Sequence, residues 1–349
     1  MKKLITFQSK TFQRYSQAIS LAGGIFLILT VLLSGIVNPS IAKAITITPP
    51  RIDLDGDPGS KVSSEFKVMN EGSTSITYYT QVENFEAKDE SGNPQFVQSK
   101  EGLATWISVP SSIAVAPGEK KTIPYTVNVP KNAEPGGYFA SIFIRTTPPA
   151  TSGGEVSIGA RLGTLVLFRV NGDIQEGVNI LEFSTKDKKR FYSSLPVELY
   201  YRFQNTGADR VKPAGDVIIK NILGMKAKIL PANKSEGSVL PRSIRRFEMA
   251  WMNGGGGQES KEAILTPHVP GSFFSEAKYQ FSHFAFGYYT ANLDITFGQN
   301  NNTAKETFRF FVIPWQLLII VVVGLALVVT ILRLLLRWYA KRVIRKHSS

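Results

Sequence analysis

Hydrophobic and polar positions fall into three patterns along the chain. Residues 45–309 show short alternating runs broken by turn residues, with almost no helical periodicity. In SITYYTQVENF, Ile76, Tyr78, Thr80 and Val82 share one face, as strand alternation requires. In LPVELYYRF, Leu195, Val197, Leu199, Tyr201 and Phe203 oppose Glu198, Tyr200 and Arg202, which reads as a half-buried strand. Pro49-Pro50, the DLDGDPGSK run from Asp53, Asn70-Glu71-Gly72 and the loop tip Asp89–Asn93 read as turns between strands. Many short strands punctuated in this way predict a mostly β protein of two immunoglobulin-like antiparallel β-sandwich domains. The first is placed at 45–147 and the second at 156–309. Between them TTPPATSGGE, whose composition packs no core, reads as an interdomain linker (148–155) or a long hairpin loop.

The second pattern is an uncharged run, Phe310 to Leu332, of 23 residues between Arg309 and Arg333. As a helix rising about 1.5 Å per residue it reaches roughly 34 Å, enough to cross a hydrocarbon core of about 30 Å. Only Gln316 and Thr330 interrupt it, and Trp315, Trp338 and Tyr339 stand where interfacial aromatics belong. A C-terminal transmembrane helix is therefore expected at 310–336, followed by a basic tail at 337–349 too short to fold. The third pattern is at the other end, where Lys2, Lys3, Lys10 and Arg14 precede an apolar segment closed by Ala42-Lys43-Ala44. This reads as a signal peptide, 1–44, cleaved after Ala44, with an uncleaved anchor as the alternative; either exports the β-rich region from residue 45 onward.

Charge changes its meaning once these segments are set aside. The chain carries a formal +13, but five Lys/Arg lie in 1–44 and six from Arg333 onward, neither segment holding an Asp or Glu, which leaves +2 for residues 45–332. The basicity marks membrane orientation and supplies no footprint for a nucleic acid. Cysteine is absent, which excludes disulfides, thiolate nucleophiles and Cys-based zinc sites.

A weak internal repeat runs through the β region. Asn70-Glu71-Gly72 is echoed by Asn205-Thr206-Gly207, VAPGEKKTIPYTV from Val115 by VLPRSIRRFEMAW from Val239, and Gly137-Tyr138-Phe139 by Gly287-Tyr288-Tyr289. In that last pairing the apolar faces, Tyr138, Ala140, Ile142 and Ile144 against Tyr289, Ala291, Leu293, Ile295 and Phe297, are out of phase by one residue.

Candidate chemistry is sparse. Asp53, Asp55 and Asp57 form a DxDGD run, but the glycine precedes the third Asp and the twelfth position is Ser64, so a calcium loop does not close and an acidic turn is expected. Ser64/Lys67 and Ser275/Lys278 have the serine–lysine spacing, which aligns the two groups only on a helix. His268, His283 and His347 show no metal-ligand spacing. The aromatic stretch 278–290, with Phe281, Phe284 and Phe286, and Trp106 are expected to be core residues in strands. No catalytic, cofactor-binding or metal residue is assigned, no cofactor is expected, and the chain reads as a non-enzyme.

The order of signal peptide, sandwich with N-x-G and P-G-E-K-K-T, P-G-G-Y strand, second sandwich, membrane helix and basic tail resembles the WxL-interacting family of bacterial cell-surface proteins. The residues that carry the resemblance are Asn70–Gly72, Trp106, Pro117-Gly118-Glu119 and Pro135-Gly136-Gly137-Tyr138. The first domain also resembles pilus-chaperone-like modules. The family resemblance implies a first domain that binds peptidoglycan and a second that binds a protein partner or host-matrix ligand. The expectation is a single-pass cell-membrane protein with a large extracytoplasmic part, presenting two immunoglobulin-like domains to a cell-wall polymer or surface protein. The alternative is a chaperone-like assembly accessory that binds client strands at a sheet edge.

Overall fold

The computed structural model describes residues 45–148, 161–252 and 268–347, so the signal peptide read at 1–44 lies outside the described residues. Its β region is two sandwiches. In the first, a sheet of β1 (Ile45–Thr48), β3 (Lys61–Asn70), β8 (Lys120–Asn128) and β6 (Ile107–Ser108) packs on a larger one. That larger sheet runs β2 (Arg51–Gly56), β10 (Arg161–Val170), β9 (Gly136–Arg145), β4 (Ile76–Ala87), β5 (Pro94–Val97), with β7 (Ser112–Val115) also on β4. Phe66, Val68 and Tyr125 meet Tyr78, Ile142 and Phe168 in the core, as alternation along each strand dictates. A single helical turn, α1 (Leu103–Trp106), closes one side, and Trp106 sits half-buried with its ring 4.4 Å from Tyr138.

The second sandwich repeats this plan. One sheet is β11 (Val178–Thr185), β13 (Val197–Asn205), β16 (Ser243–Trp251). The other runs β12 (Phe191–Tyr192), β18 (Asn302–Val312), β17 (Gly287–Phe297), β14 (Ala214–Asn221), β15 (Lys226–Pro231). The order β12-β18-β17-β14-β15 matches β2-β10-β9-β4-β5 strand for strand, down to one parallel edge pair in each otherwise antiparallel sheet. The N-x-G motifs do the same work in both. Fully buried Asn70 donates to Thr74 O (2.8 Å) and Val115 O (3.1 Å) and accepts from Gly72 N. Fully buried Asn205 donates to Asp209 O (2.7 Å) and Val239 O (3.0 Å) and accepts from Gly207 N. The phase mismatch disappears when Gly136 is paired with Gly287: both open their strand at positive φ, and Ala140, Ile142 and Ile144 then fall on Ala291, Leu293 and Ile295, all buried.

Two boundaries move. β10, read as the start of the second unit, pairs with β9 over ten positions and places Val166, Phe168 and Val170 in the first core. The linker read at 148–155 lies from 149 onward outside the described residues, but the strands flanking it are neighbours in one sheet. β10 therefore belongs to the first sandwich, which ends at Val170 and not at 147. Pro, Gly and Ser mark a hairpin loop and a linker alike, so composition could not separate them. At the other end Phe310 and Val312, read as membrane residues, are fully buried strand positions of the second core. The helix α3 (Trp315–His347) starts only after Pro314, whose carbonyl accepts from Leu318 N at 3.0 Å. It carries through the tail that was expected to be too short to fold. Its segment Trp315–Tyr339, 25 residues, is long and apolar enough to cross a membrane.

The stretch 278–290 also departs from expectation. It begins inside a helix, α2 (Phe273–Ser282), capped by Ser272, and Phe281, Phe284 and Phe286 are exposed, not core. Alternating aromatics suggested strand burial, whereas the helix buries Ala277 and Gln280 instead.

A candidate binding cleft between the two sandwiches

Strand register fixes which ends of the sandwiches meet. Ala214 pairs with Thr296 and Phe297 with Asn302 at one end of the second sandwich, while Asn221–Tyr289 and Gly287–Val312 lie at the other. The first end, with the Asn205 turn, receives the first sandwich, and the second leads into α3. At roughly 3.3 Å per residue along β17, the two ends are about 35 Å apart.

Two clasps hold the sandwiches together. On one side, the β4–β5 hairpin tip reaches β16. The Glu90 carboxylate accepts a forked pair of bonds from Arg202, and the Glu90 carbonyl accepts from Arg246 N at 2.7 Å. Arg202 holds the Glu90 carboxyl below the usual carboxylate range, and Glu90 in turn raises Arg202. On the other side, Asp53 of β2 accepts from Arg51 and pairs with Arg210 at 2.8 Å, and Arg169 lies 3.6 Å from Asp209. The P-G-G-Y motif belongs to this clasp. Gly137 N donates to Ala208 O at 2.9 Å, and a Cβ on Gly136, at φ +149°, would stand 2.8 Å from that same carbonyl. A glycine permits this approach where any side chain forces the two units apart.

Between the clasps lies a cleft of about 180 Å³ that opens into a wider groove lined by Asp89, Glu90, Ala232 and Phe247. Phe85, Leu165, Leu167 and Leu240 give the cleft an apolar wall; Arg51, Ser238 and Arg245 are among its polar groups, together with Asp89, which accepts from Ser91 N, and Glu236, which pairs with Lys212. Arg245 is the unusual member. Its guanidinium lies against Gly92 of the first sandwich and Gly237 of the second, where a Cβ on either would sit within 2.6 Å of it. It donates to Ser238 O at 2.9 Å and lies 5.3 Å from the centre of the Phe247 ring, with no carboxylate paired to it among the described residues. Burial lowers its pKa from the usual arginine value, so the site holds a cation at a cost that an anionic group on a ligand relieves.

No protein-family model and no curated protein matches the chain. Among solved structures it is similar to the class 5 fimbriae chaperone CfaA, at 12% identity and TM-score 0.37, over 78% of this chain and 100% of that one. It is similar to a chain of the CsuC–CsuE chaperone–tip adhesion subunit pre-assembly complex from archaic chaperone-usher Csu pili of Acinetobacter baumannii. That match has 12% identity and TM-score 0.33, over 76% of this chain and 98% of that one. The E. coli chaperone DraB is a third, at 9% identity and TM-score 0.33, over 76% and 97%. Likeness at this distance carries no argument about ligand or partner.

The residues singled out in the sequence are scattered relative to the cleft. Asp53, Asp55 and Asp57 alternate along the exposed face of β2 and into the turn after it. Asp53 is engaged by two arginines, and Asp57 accepts from Asn171 at 2.9 Å. Among the described residues no group of three or more His, Asp or Glu could hold a metal ion. Ser64 and Lys67 lie three apart on strand β3, half-buried and exposed respectively. Ser275 and Lys278 do lie on one helix, α2, but both are exposed and no described hydrogen bond joins them. His268 bonds Glu276 at 2.9 Å and stacks on Tyr279, which stacks on His283; the His347 side chain lies outside the described residues. Pro117-Gly118-Glu119 is a turn fastened to Asn70, since Gly118 N donates to Asn70 O at 2.8 Å. Sequence reasoning missed the cleft itself; the paired glycines 136 and 137 were its one local signal.

Proposed function

We propose that the chain is an exported, membrane-anchored binding protein that holds a segment of a protein partner in the cleft between its sandwiches and catalyses no reaction. The observation that carries this reading is Arg245, a half-buried cation beside an apolar wall that no carboxylate among the described residues ion-pairs. Such a pocket suits a segment offering apolar side chains and one acidic group. The clasps on either side keep its shape fixed, so little ordering free energy is lost on binding. α3 anchors the chain, and the basic residues Arg333 to Lys346 put that end in the cytoplasm and residues 45–312 outside. The family resemblance offers peptidoglycan as the competing ligand.

A second reading, strand addition by a client, is favoured by one edge. In the second sandwich β12 covers only Phe311 and Val312, so no described strand pairs with the outer side of β18 from Asn302 to Phe310. Photo-crosslinkers placed singly at Leu240 and at Lys305 in the full chain, in cells, separate the readings. Protein capture at Leu240, lowered about tenfold by Arg245→Met, is expected, since a charged hydrogen bond contributes about 1.5–3 kcal/mol. Capture at Lys305 alone favours strand addition. Binding of purified peptidoglycan with no protein captured at either position overturns both.

A further inference from the structure

The end of the second sandwich opposite the cleft exposes large apolar side chains on two separate elements. The β14–β15 hairpin tip presents Ile222, Leu223 and Met225, exposed by 74%, 76% and 56%. Its shape is fixed: Asn221 Oδ1 accepts from Leu223 N and Met225 N, both at 3.0 Å, and Gly224 takes φ +77°. A well-ordered turn that points three apolar groups at solvent is not the product of a loose loop. The second element is α2. Its buried face holds Ala277 and Gln280, while Phe274 and Phe281, two turns apart and 76% and 74% exposed, share the outer face with Lys278.

Register places both elements together. Asn221 pairs with Tyr289, at the start of β17, and Gly287 pairs with Val312, three residues before α3 begins. α2 is tied to the first turn of α3 by a buried polar contact: Gln280 Nε2 donates to Gln316 Oε1, and Leu317 N donates to Gln280 Oε1 at 3.2 Å. Phe273 packs against Trp315, ring centres 6.0 Å apart. The depth of α2 relative to α3 is therefore set by the fold. Lys220 and Lys226 flank the hairpin tip as Lys278 flanks the phenylalanines, while nearby Glu276 is occupied by Gly271 N and His268. Exposed aromatics and aliphatics ringed by lysine are the composition that settles at the headgroup layer of a bilayer.

We infer that the hairpin tip 222–225 and the outer face of α2 form a collar that inserts into the headgroup layer of the bilayer spanned by α3, seating the second sandwich on the membrane. The inference rests on reading α3 as a membrane span. Seated this way, the sandwich lifts the cleft about 35 Å above the lipid surface, the length of one strand.

Because the chain lacks cysteine, single labels are simple to place. The full-length protein in lipid nanodiscs is spin-labelled at Leu223→Cys, Phe281→Cys, Val328→Cys and Lys100→Cys, and each label's collisions with oxygen and with a water-soluble nickel chelate are compared. Labels at 223 and 281 are expected about 5–10 Å below the phosphates, 328 deep in the hydrocarbon and 100 in water. Labels at 223 and 281 in water while 328 is in lipid overturn the collar and leave the span intact. A label at 328 in water overturns both. A label at 223 or 281 shielded from both reagents and broadened by the same label on a second copy places that copy on this face, which also overturns the collar.

Discussion

The two sandwiches share strand order, parallel edge pair and buried asparagine clasp, and differ in what is attached to them. In the first, β2 covers β10 over six positions, and the free end of the sandwich is the hairpin that grips its neighbour through Glu90. In the second, β12 covers β18 over two positions, one end carries half of the cleft, and the other carries α2, an apolar hairpin tip and α3. A repeated frame supplies rigidity, while the loops and edges that depart from the repeat supply contacts. The likeness can be broken where the frames are equal and sharpened where they differ.

The largest effect is expected at the equal sites. Asn70→Ala and Asn205→Ala each strand two buried carbonyls and one amide, and each is expected to cost its own sandwich about 3 kcal/mol. Urea unfolding followed by a probe in each sandwich should show one transition move and the other hold in each variant. A large cost for one asparagine and none for the other would end the equivalence.

That equivalence is legible in the sequence. N-x-G follows a strand in both halves because a short amide side chain can hold its own following turn, and the β pattern and apolar C-terminal run are equally plain. Other features are not. The hairpin and linker readings of 146–155 share one composition, so β10 goes to the wrong half. A membrane helix and a buried strand are both uncharged, which hides Phe310 and Val312 in the second core. The cleft depends on Arg51, Phe85, Leu165 and Arg245, residues far apart in sequence that only the docking of two domains brings together.

A middle effect is expected where the halves touch. Glu90 is held below its ordinary value of 4.5 by Arg202, so the clasp is at full strength above that pH and is lost as acid protonates the carboxylate through its lowered pKa. Both side chains are about a third exposed, and solvent screening limits the pair to about 1 kcal/mol. Energy transfer between dyes on the two sandwiches should fall on acidification toward pH 3 in the parent protein. In Glu90→Gln it should already be reduced at pH 7 and change less with acid. An unchanged distance in both proteins would assign the docking to the Asp53 and Gly137 side alone.

The smallest effect tests whether differences in surface decoration leave the frame untouched. Lys305 of β18 pairs with Asp294 of β17 at 3.0 Å, on the second sandwich only, with side chains 66% and 47% exposed. An ion pair this open gains little over hydration and restricts two flexible side chains, so Lys305→Ala should move the second transition by less than about 0.5 kcal/mol. The same position lies on the β18 edge that no described strand covers. A shift well above that figure would mean that Lys305 supports the edge and does not merely decorate it, and the second sandwich would then differ from the first in its frame as well as in its attachments.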